Sequence, residues 1–238
     1  MTGSARVVVR RSPAELARDP RATRTAVVID VLRATSTAAT LLARGLERIE
    51  VVATPRDLQQ LPVSRDPRVV ISEMAELRTE LGHLDNSPVL VRSADLSGKC
   101  LVLVTTNGTR TLMQAAQRAE RVFLASFLNL SAVARHVAAD PGDDEIWIIA
   151  AGNVQRDEDR TEDSECADAL VALLRNEPPR LAERLARCRS DAKVQRRLAG
   201  EGPAFAADLE LCLSCDLYDV VPGFHADGSS RGHIVRAA

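Results

Sequence analysis

Aromatic side chains are scarce in this sequence: Phe, Trp and Tyr make up 3% of its 238 residues. A core must therefore be assembled from Val, Leu, Ile and Ala, a mixture that suits strands covered on both faces by Ala-rich helices. Long apolar runs are missing too. None approaches the roughly 18–20 residues that span a bilayer. The basic start of the chain is not followed by an apolar segment of the secretory kind, so the expectation is a cytoplasmic protein away from membranes. No basic tract is present either. Arg is scattered and the net charge is -2, which argues against nucleic acid while leaving a small anionic metabolite open as partner. The 5 cysteines are an odd count that does not make a disulfide framework. Cys212-Leu213-Ser214-Cys215 has zinc or redox spacing, but with no second pair it reads as small residues in and near a strand.

Several familiar chemistries lack their residues. Asp30-Val31-Leu32 puts Leu where a haloacid-dehalogenase-type phosphatase needs a second Asp. The stretch from Ser93 to Cys100 imitates a P-loop, yet it has no first Gly, and Cys replaces the hydroxyl that holds magnesium. No nucleophile elbow and no glycine-rich dinucleotide fingerprint occurs. His83 and His136 have no second His at a ligand spacing and read as surface or loop residues. Cys166 reads as a small core residue, since no basic partner is near it in sequence.

What is present is an alternation of short β-branched runs with amphipathic Ala/Leu stretches, the pattern of an α/β fold. Strands are expected at 26–29, 49–53, 68–72, 100–104, 122–125 and 146–150. Ser36 or Thr37 is the expected cap of a helix that stops at Gly45. Thr54-Pro55 reads as an N-cap followed by Pro at the first helical position. Further helices are expected at about 109–120, 129–139 and 162–174. An Arg-rich amphipathic region follows to about 198, and Gly200 to Pro203 breaks it. Residues 73–88 read as a polar loop, and 209–213 and 217–221 as late strands. The whole is expected to be one layered α/β/α domain with a mostly buried sheet, built of two similar subdomains if it divides at all, with the break near 140–155.

Two segments are suited to holding an anion. Asp30 ends a strand, where open α/β sheets place their ligands. Thr35, Ser36 and Thr37 open the following helix, whose dipole and backbone N–H groups favour negative charge, and Arg33 adds a guanidinium fork. The second segment is Thr105-Thr106-Asn107-Gly108-Thr109-Arg110, a strand-loop-helix junction in which Gly108 permits close backbone approach. Both also have plainer readings, as helix caps and a tight turn. Carboxylates that could supply oxygen ligands to Mg²⁺ are Asp30, Glu73, Asp85, Glu162 and Asp163. The last pair also fits a simple dipole role in a first helical turn.

Taken in order, V-V-I-D-V-L-R-A-T-S-T, N-S-P at Asn86 to Pro88, T-T-N-G-T-R, A-G at Ala151-Gly152 and E-D-S-E-C-A at Glu162 to Ala167 resemble the 2-phosphosulfolactate phosphatase family over most of the chain. The resemblance implies a magnesium-dependent phosphatase with an α/β/α fold, dimeric, whose archaeal relatives feed coenzyme M synthesis. It implies a catalytic group of Asp30, Arg33 and Asn107. Substrate contacts would come from Thr35, Ser36, Asn86, Ser87, Thr105, Thr106, Gly108, Thr109 and Arg110. The sequence departs from the family pattern at 72–88, where Ser72-Glu73-Met74 lacks an expected cation, and in the unusually charged segment 156–163. Two alternatives stay open: a phosphatase for another phosphorylated hydroxy acid, and a catalytically silent anion-binding protein on the same scaffold. Direct attack by water and a phospho-aspartate route are also both open.

Overall fold

The computed structural model describes residues 6–61, 67–78, 82–140, 145–153, 156 and 158–237. Its strands are β1 (Arg6–Arg10), β2 (Thr23–Ile29), β3 (Ile49–Val52), β4 (Arg68–Ile71), β5 (His83–Leu84), β6 (Cys100–Leu103), β7 (Ala119–Ala125), β8 (Glu145–Ala150), β9 (Pro222–Ala226) and β10 (Arg231–Arg236). Its helices are α1 (Pro13–Arg18), α2 (Ala34–Ala43), α3 (Pro55–Leu58), α4 (Pro88–Ser93), α5 (Gly108–Ala116), α6 (Leu130–Ala138), α7 (Thr161–Leu174), α8 (Leu181–Ser190) and α9 (Ala192–Cys212). The α/β reading of the sequence agrees with this pattern.

All ten strands join one sheet in the order β1-β8-β2-β7-β9-β10-β3-β6-β4-β5. The first four are mutually parallel, and so are the last four. Between them stand three antiparallel pairings, β7 with β9, β9 with β10 and β10 with β3. An odd number of reversals makes the two parallel halves run in opposite senses. In a flat sheet their C-terminal ends would lie on opposite edges, with β2 and β6 about 24 Å apart. The sheet is not flat. The twist usual in sheets, about 20–25° at each step, would turn β6 by roughly 110° over the five steps from β2. Residues that follow β2, β8, β4 and β6 line one common cleft.

The strands explain the paucity of aromatics. Ala26, Val27, Val28 and Ile29 of β2 are all fully buried, as are Trp147, Ile148 and Ile149 of β8, so each strand is covered on both faces. One face of the whole sheet packs on α1, α2, α4 and α5 in a single cluster that runs from Trp147 and Val28 to Ile49, Leu103 and Ile71. The other face of the first half packs on α6 to α9 through Ile29, Ile148, Leu170 and Phe205. The second half has a smaller backing, Val52, Val70 and Val102 against Leu58 and Leu77.

Several sequence expectations are corrected. Residues 209–213 are not a strand but the end of α9, and the strand expected at 217–221 begins only at Pro222. The break expected at 200–203 is a kink within α9, where Gly202 takes φ 68° and ψ -146° just before Pro203. Arg33, not Ser36 or Thr37, caps α2. The Ser36 hydroxyl donates instead to the Val31 carbonyl at 2.8 Å. Part of the expected subdomain break, residues 141–144 and 154–155, lies outside the described residues.

Candidate active site

A cleft of about 250 Å³ opens where the C-terminal ends of β2, β8, β4 and β6 converge. Its lining includes Asp30, Arg33, Glu73, Asn86, Thr105, Thr106, Asn107, Glu162 and Asp163, all expected from the sequence, with Leu32, Gly152, Asn153, Arg160 and Arg197 in addition. Three helices point their first turns at this space. The N-cap residues of α2, α5 and α7 are Arg33, Asn107 and Arg160, and none supplies a side-chain cap. Their positive dipole ends adjoin the cleft, while the Ala34 and Thr109 amides are taken up locally by Asp30 Oδ1 and Thr105 Oγ1.

Asp30 ends β2 against the start of α5. A Cβ on Gly108 would lie 2.6 Å from Asp30 Oδ2 and equally close to the Ala34 Cβ, so the junction closes only with glycine there. The Ala34 N–H approaches Asp30 Oδ1 at 3.4 Å, and the Asp30 main chain is tied to the Thr35 hydroxyl. Asp30 Oδ2 accepts no hydrogen bond among the described residues, which leaves it for a ligand. Burial raises the Asp30 carboxyl to about 7, with a further push from Glu73 and then Glu162.

Asp163 is a splice. Its two oxygens accept the Val31 N–H at 2.8 Å and the Gly152 N–H at 3.1 Å, which locks the end of β2 to the end of β8. Burial, the neighbouring Asp30 and Glu162 hold its carboxyl well above the usual range. Glu162 is buried beside it and is raised first by burial, while Arg160 acts the other way. On the opposite wall Glu73 Oε1 accepts the Thr106 N–H at 2.7 Å and its hydroxyl at 2.8 Å, and Oε2 accepts the Asn86 amide at 3.1 Å. That last bond fixes which way the Asn86 amide is turned. Its Oδ1 is buried and has no partner.

The remaining expected residues serve the walls and do not line the cleft. Thr35 and Ser36 bond to the carbonyls of Asp30 and Val31. Thr109 and Thr105 exchange bonds across the turn, the Thr109 N–H donating to Thr105 Oγ1 and the Thr105 N–H to Thr109 Oγ1. Ser87 caps α4. Arg110 stands outside the lining, and so does Asp85, which accepts from Arg33 Nη1 at 3.2 Å. Arg33 lines the cleft, but its stronger bond runs to buried Asp208, at 2.6 Å. Asp208 also accepts the Ser87 hydroxyl at 2.5 Å and the Val89 N–H at 3.3 Å.

Sequence reasoning passed over Asp208, Arg160 and Arg197. Asp208 was hidden by reading the following residues as a strand; in α9 it belongs to the buried face that carries Phe205, Leu209 and Cys212. A lone acid on such a face was the available signal.

Among the described residues no three His, Cys, Asp or Glu side chains form a ready-made cation cage. The donor set nevertheless suits a hard ion that keeps water and ligand oxygens in its shell, since Asp30 Oδ2 and Asn86 Oδ1 lack partners and Glu162 is buried beside them. All five cysteines are free, and Cys166 is buried in the core. No helix among the described residues is long and apolar enough to cross a membrane.

Comparison with known proteins gives a consistent result. The family model described as 2-phosphosulpholactate phosphatase matches residues 11–227. A protein of Thermotoga maritima named as a probable 2-phosphosulfolactate phosphatase is 34% identical over 211 residues, 84% of this chain and 88% of its own length. One of Prochlorococcus marinus with the same name is 36% identical over 220 residues, covering 83% and 87% of the two chains. A third, from Caldicellulosiruptor saccharolyticus, is 33% identical over 223 residues, with 84% and 88% covered. The match spans both halves of the sheet and every wall of the cleft, and the chain belongs to the 2-phosphosulpholactate phosphatase family.

Proposed function

We propose that the chain is a phosphoric monoester hydrolase that removes phosphate from a small anionic hydroxy acid, with 2-phosphosulfolactate as substrate and sulfolactate as organic product. The observation that carries this reading is the partnerless Oδ2 of Asp30 at the mouth of α5, in a cleft where the starts of three helices meet buried carboxylates. Helix starts and the Thr106 and Asn107 segment suit phosphoryl oxygens. Arg160 and Arg197 add positive charge on the far side.

The carboxylates of Asp30 and Glu162, with Asn86 Oδ1 and the second-row support of Glu73 and Asp163, are the residues that would hold Mg²⁺. When bound, that ion supplies positive charge to the phosphate oxygens. Asp163 positions Asp30 by locking the adjoining strand ends, and Asp208 positions Arg33. Asp30 serves either as the group that takes a proton from the attacking water or as the nucleophile that receives the phosphoryl group. In the first route water attacks phosphorus, the ester P–O bond breaks and the proton taken by Asp30 passes to the leaving alkoxide. In the second Asp30 displaces the alkoxide, which takes a proton from water, and a second water then cleaves the phospho-aspartate to free the carboxylate and phosphate. Rapid-quench trapping of a phospho-aspartate separates the two.

We further read the protein as a cytoplasmic homodimer acting on its substrate without nucleic acid, in a pathway of the coenzyme M type where the organism makes that cofactor. Phosphate release from 2-phosphosulfolactate, measured with Mg²⁺ and with chelator, tests the central reading. Metal-dependent release that is lost in Asp30→Asn is the expected result. Turnover that is unaffected by Asp30→Asn sinks it, and binding without turnover favours the silent anion-binding alternative.

A further inference from the structure

A second cavity, of about 370 Å³, adjoins the cleft and shares Arg160 and Arg197 with it. Its character is the reverse of the first. Among the described residues that line it, Arg156, Arg160, Lys193, Arg196 and Arg197 face two acids, Glu158 and Glu201. Both acids are already engaged, Glu158 with Lys193 at 3.0 Å and Glu201 with Arg197 at 2.6 Å. Arg197 is further fixed by the Phe205 ring, 4.0 Å from its guanidinium carbon. Arg156, Arg160 and Arg196 make no side-chain hydrogen bond or ion pair among the described residues. In a chain with two more acids than bases, such an excess of guanidinium groups without a bonded partner beside the cleft is a concentrated positive field. The two spaces together form a trough whose acidic end suits a metal-bound phosphoryl group and whose basic end suits a different anion.

We propose that the basic cavity receives the substrate's non-transferred acid group, a sulfonate or a carboxylate, and that Arg156 and Arg196 are specificity-determining residues for it. The inference rests on the phosphatase reading given above and deepens it. Guanidinium forks match the oxygens of such groups in a bidentate fashion, and their hold on the substrate is equal before and during phosphoryl transfer. They therefore affect binding and leave the chemical step alone.

The test is the double variant Arg156→Ala/Arg196→Ala, which leaves every residue lining the cleft in place. Three substrates are compared: 2-phosphosulfolactate, 2-phospholactate, which lacks the sulfonate, and phenyl phosphate, which has no second acid. The expected result is a KM for 2-phosphosulfolactate raised about tenfold with kcat held, and kcat/KM for phenyl phosphate unchanged. If 2-phospholactate responds like the sulfonate substrate, the cavity reads the carboxylate; if it responds like phenyl phosphate, the cavity reads the sulfonate. An unchanged KM for 2-phosphosulfolactate overturns the proposal, and so does an equal loss on phenyl phosphate, which marks general attraction of anions. Should the parent protein turn over none of the three, the phosphatase reading fails by itself. Calorimetric titration of chelator-treated protein with sulfolactate then decides: binding weakened about tenfold in the double variant upholds the basic cavity as an acid-group site, while equal binding or none overturns it.

Discussion

At the scale of single residues the site depends on contacts that leave no room for change. Gly108 is the clearest case. An added methyl group would press on Asp30 Oδ2 and on Ala34 at 2.6 Å, so Gly108→Ala must push either the carboxylate or the start of α5 aside. The expected result is a fall in kcat/KM of about a hundredfold, with a stability cost of only ~1–3 kcal/mol. Steady-state kinetics beside urea unfolding measures both, and a fully active variant would show that Asp30 need not sit against α5. Asp208 gives the opposite balance. It is the main partner of Arg33, whose side chain is 8% exposed, and it accepts two further bonds from the segment before and within α4. Asp208→Asn leaves a buried guanidinium facing a neutral amide, and a loss of ~3–5 kcal/mol is expected. The one tryptophan, Trp147, is fully buried and reports that unfolding by its fluorescence. A loss below about 1 kcal/mol, the scale of exposed pairs, would show that Asp85 alone can hold Arg33.

At the scale of elements, Asp163 at the head of α7 is expected to tolerate no amide. Its two oxygens accept two backbone N–H groups, whereas an Asn offers one acceptor and turns an NH₂ toward the other N–H. Asp163→Asn should therefore slacken the β2–β8 junction, and faster hydrogen exchange at Val31 and Gly152 than in the parent is the outcome to look for. Unchanged protection there would remove the splice from the account. How far such elements could be read in advance depended on their local chemistry. Strands such as Ala26-Val27-Val28-Ile29 announced themselves because they are covered on both faces and apolar throughout. The Thr54-Pro55 start of α3 was equally legible, since cap and first-turn residue both obey local rules. The last third was not. Leu209 to Leu213 carries apolar residues at a spacing that serves strand and helix alike, and its helical state is decided by the core it joins, the cluster that also holds Phe127 and Cys166. Arg160 and Arg197, 37 positions apart in the chain, meet at one cleft because α7 and α9 pack behind the same half-sheet. Nothing in their neighbours foretold that. The cleft-lining loop at Thr105 was visible, by contrast, as a polar junction directly after an apolar strand.

For the whole molecule the decisive quantity is the charge gathered at the cleft. Asp30, Glu162 and Asp163 all have carboxyls raised above their ordinary values by burial and by one another. In the folded state they keep protons that the unfolded chain has already released, so stability of the metal-free protein falls as pH rises from about 4 to about 7, the window set by Asp30. On the Mg²⁺ reading proposed above, a divalent ion would replace those protons and remove the repulsion. Thermal unfolding with chelator is therefore expected to give a lower Tm at about pH 8 than at about pH 5, and Mg²⁺ should raise Tm more at the higher pH. A Tm that rises with pH in chelator, or a Mg²⁺ effect of equal size at both values, would contradict this account of the cleft.

The order of the sheet also fixes when the protein can begin to work. β7 and β3 never pair with each other; they are joined only through β9 and β10, which come from residues 222–236. On the ribosome, β2 and the Thr105 turn emerge early, yet the strands that carry them have no hydrogen-bonded connection until the final hairpin has been made and threaded between them. The continuous sheet is thus a late product of synthesis. Nascent chains carry the cleft residues for most of their length before the sheet that frames them is continuous, and a chain that ends before Pro222 lacks the hairpin that pairs the half-sheets and leaves the facing edges of β7 and β3 open, the condition in which strands seek partners in other molecules.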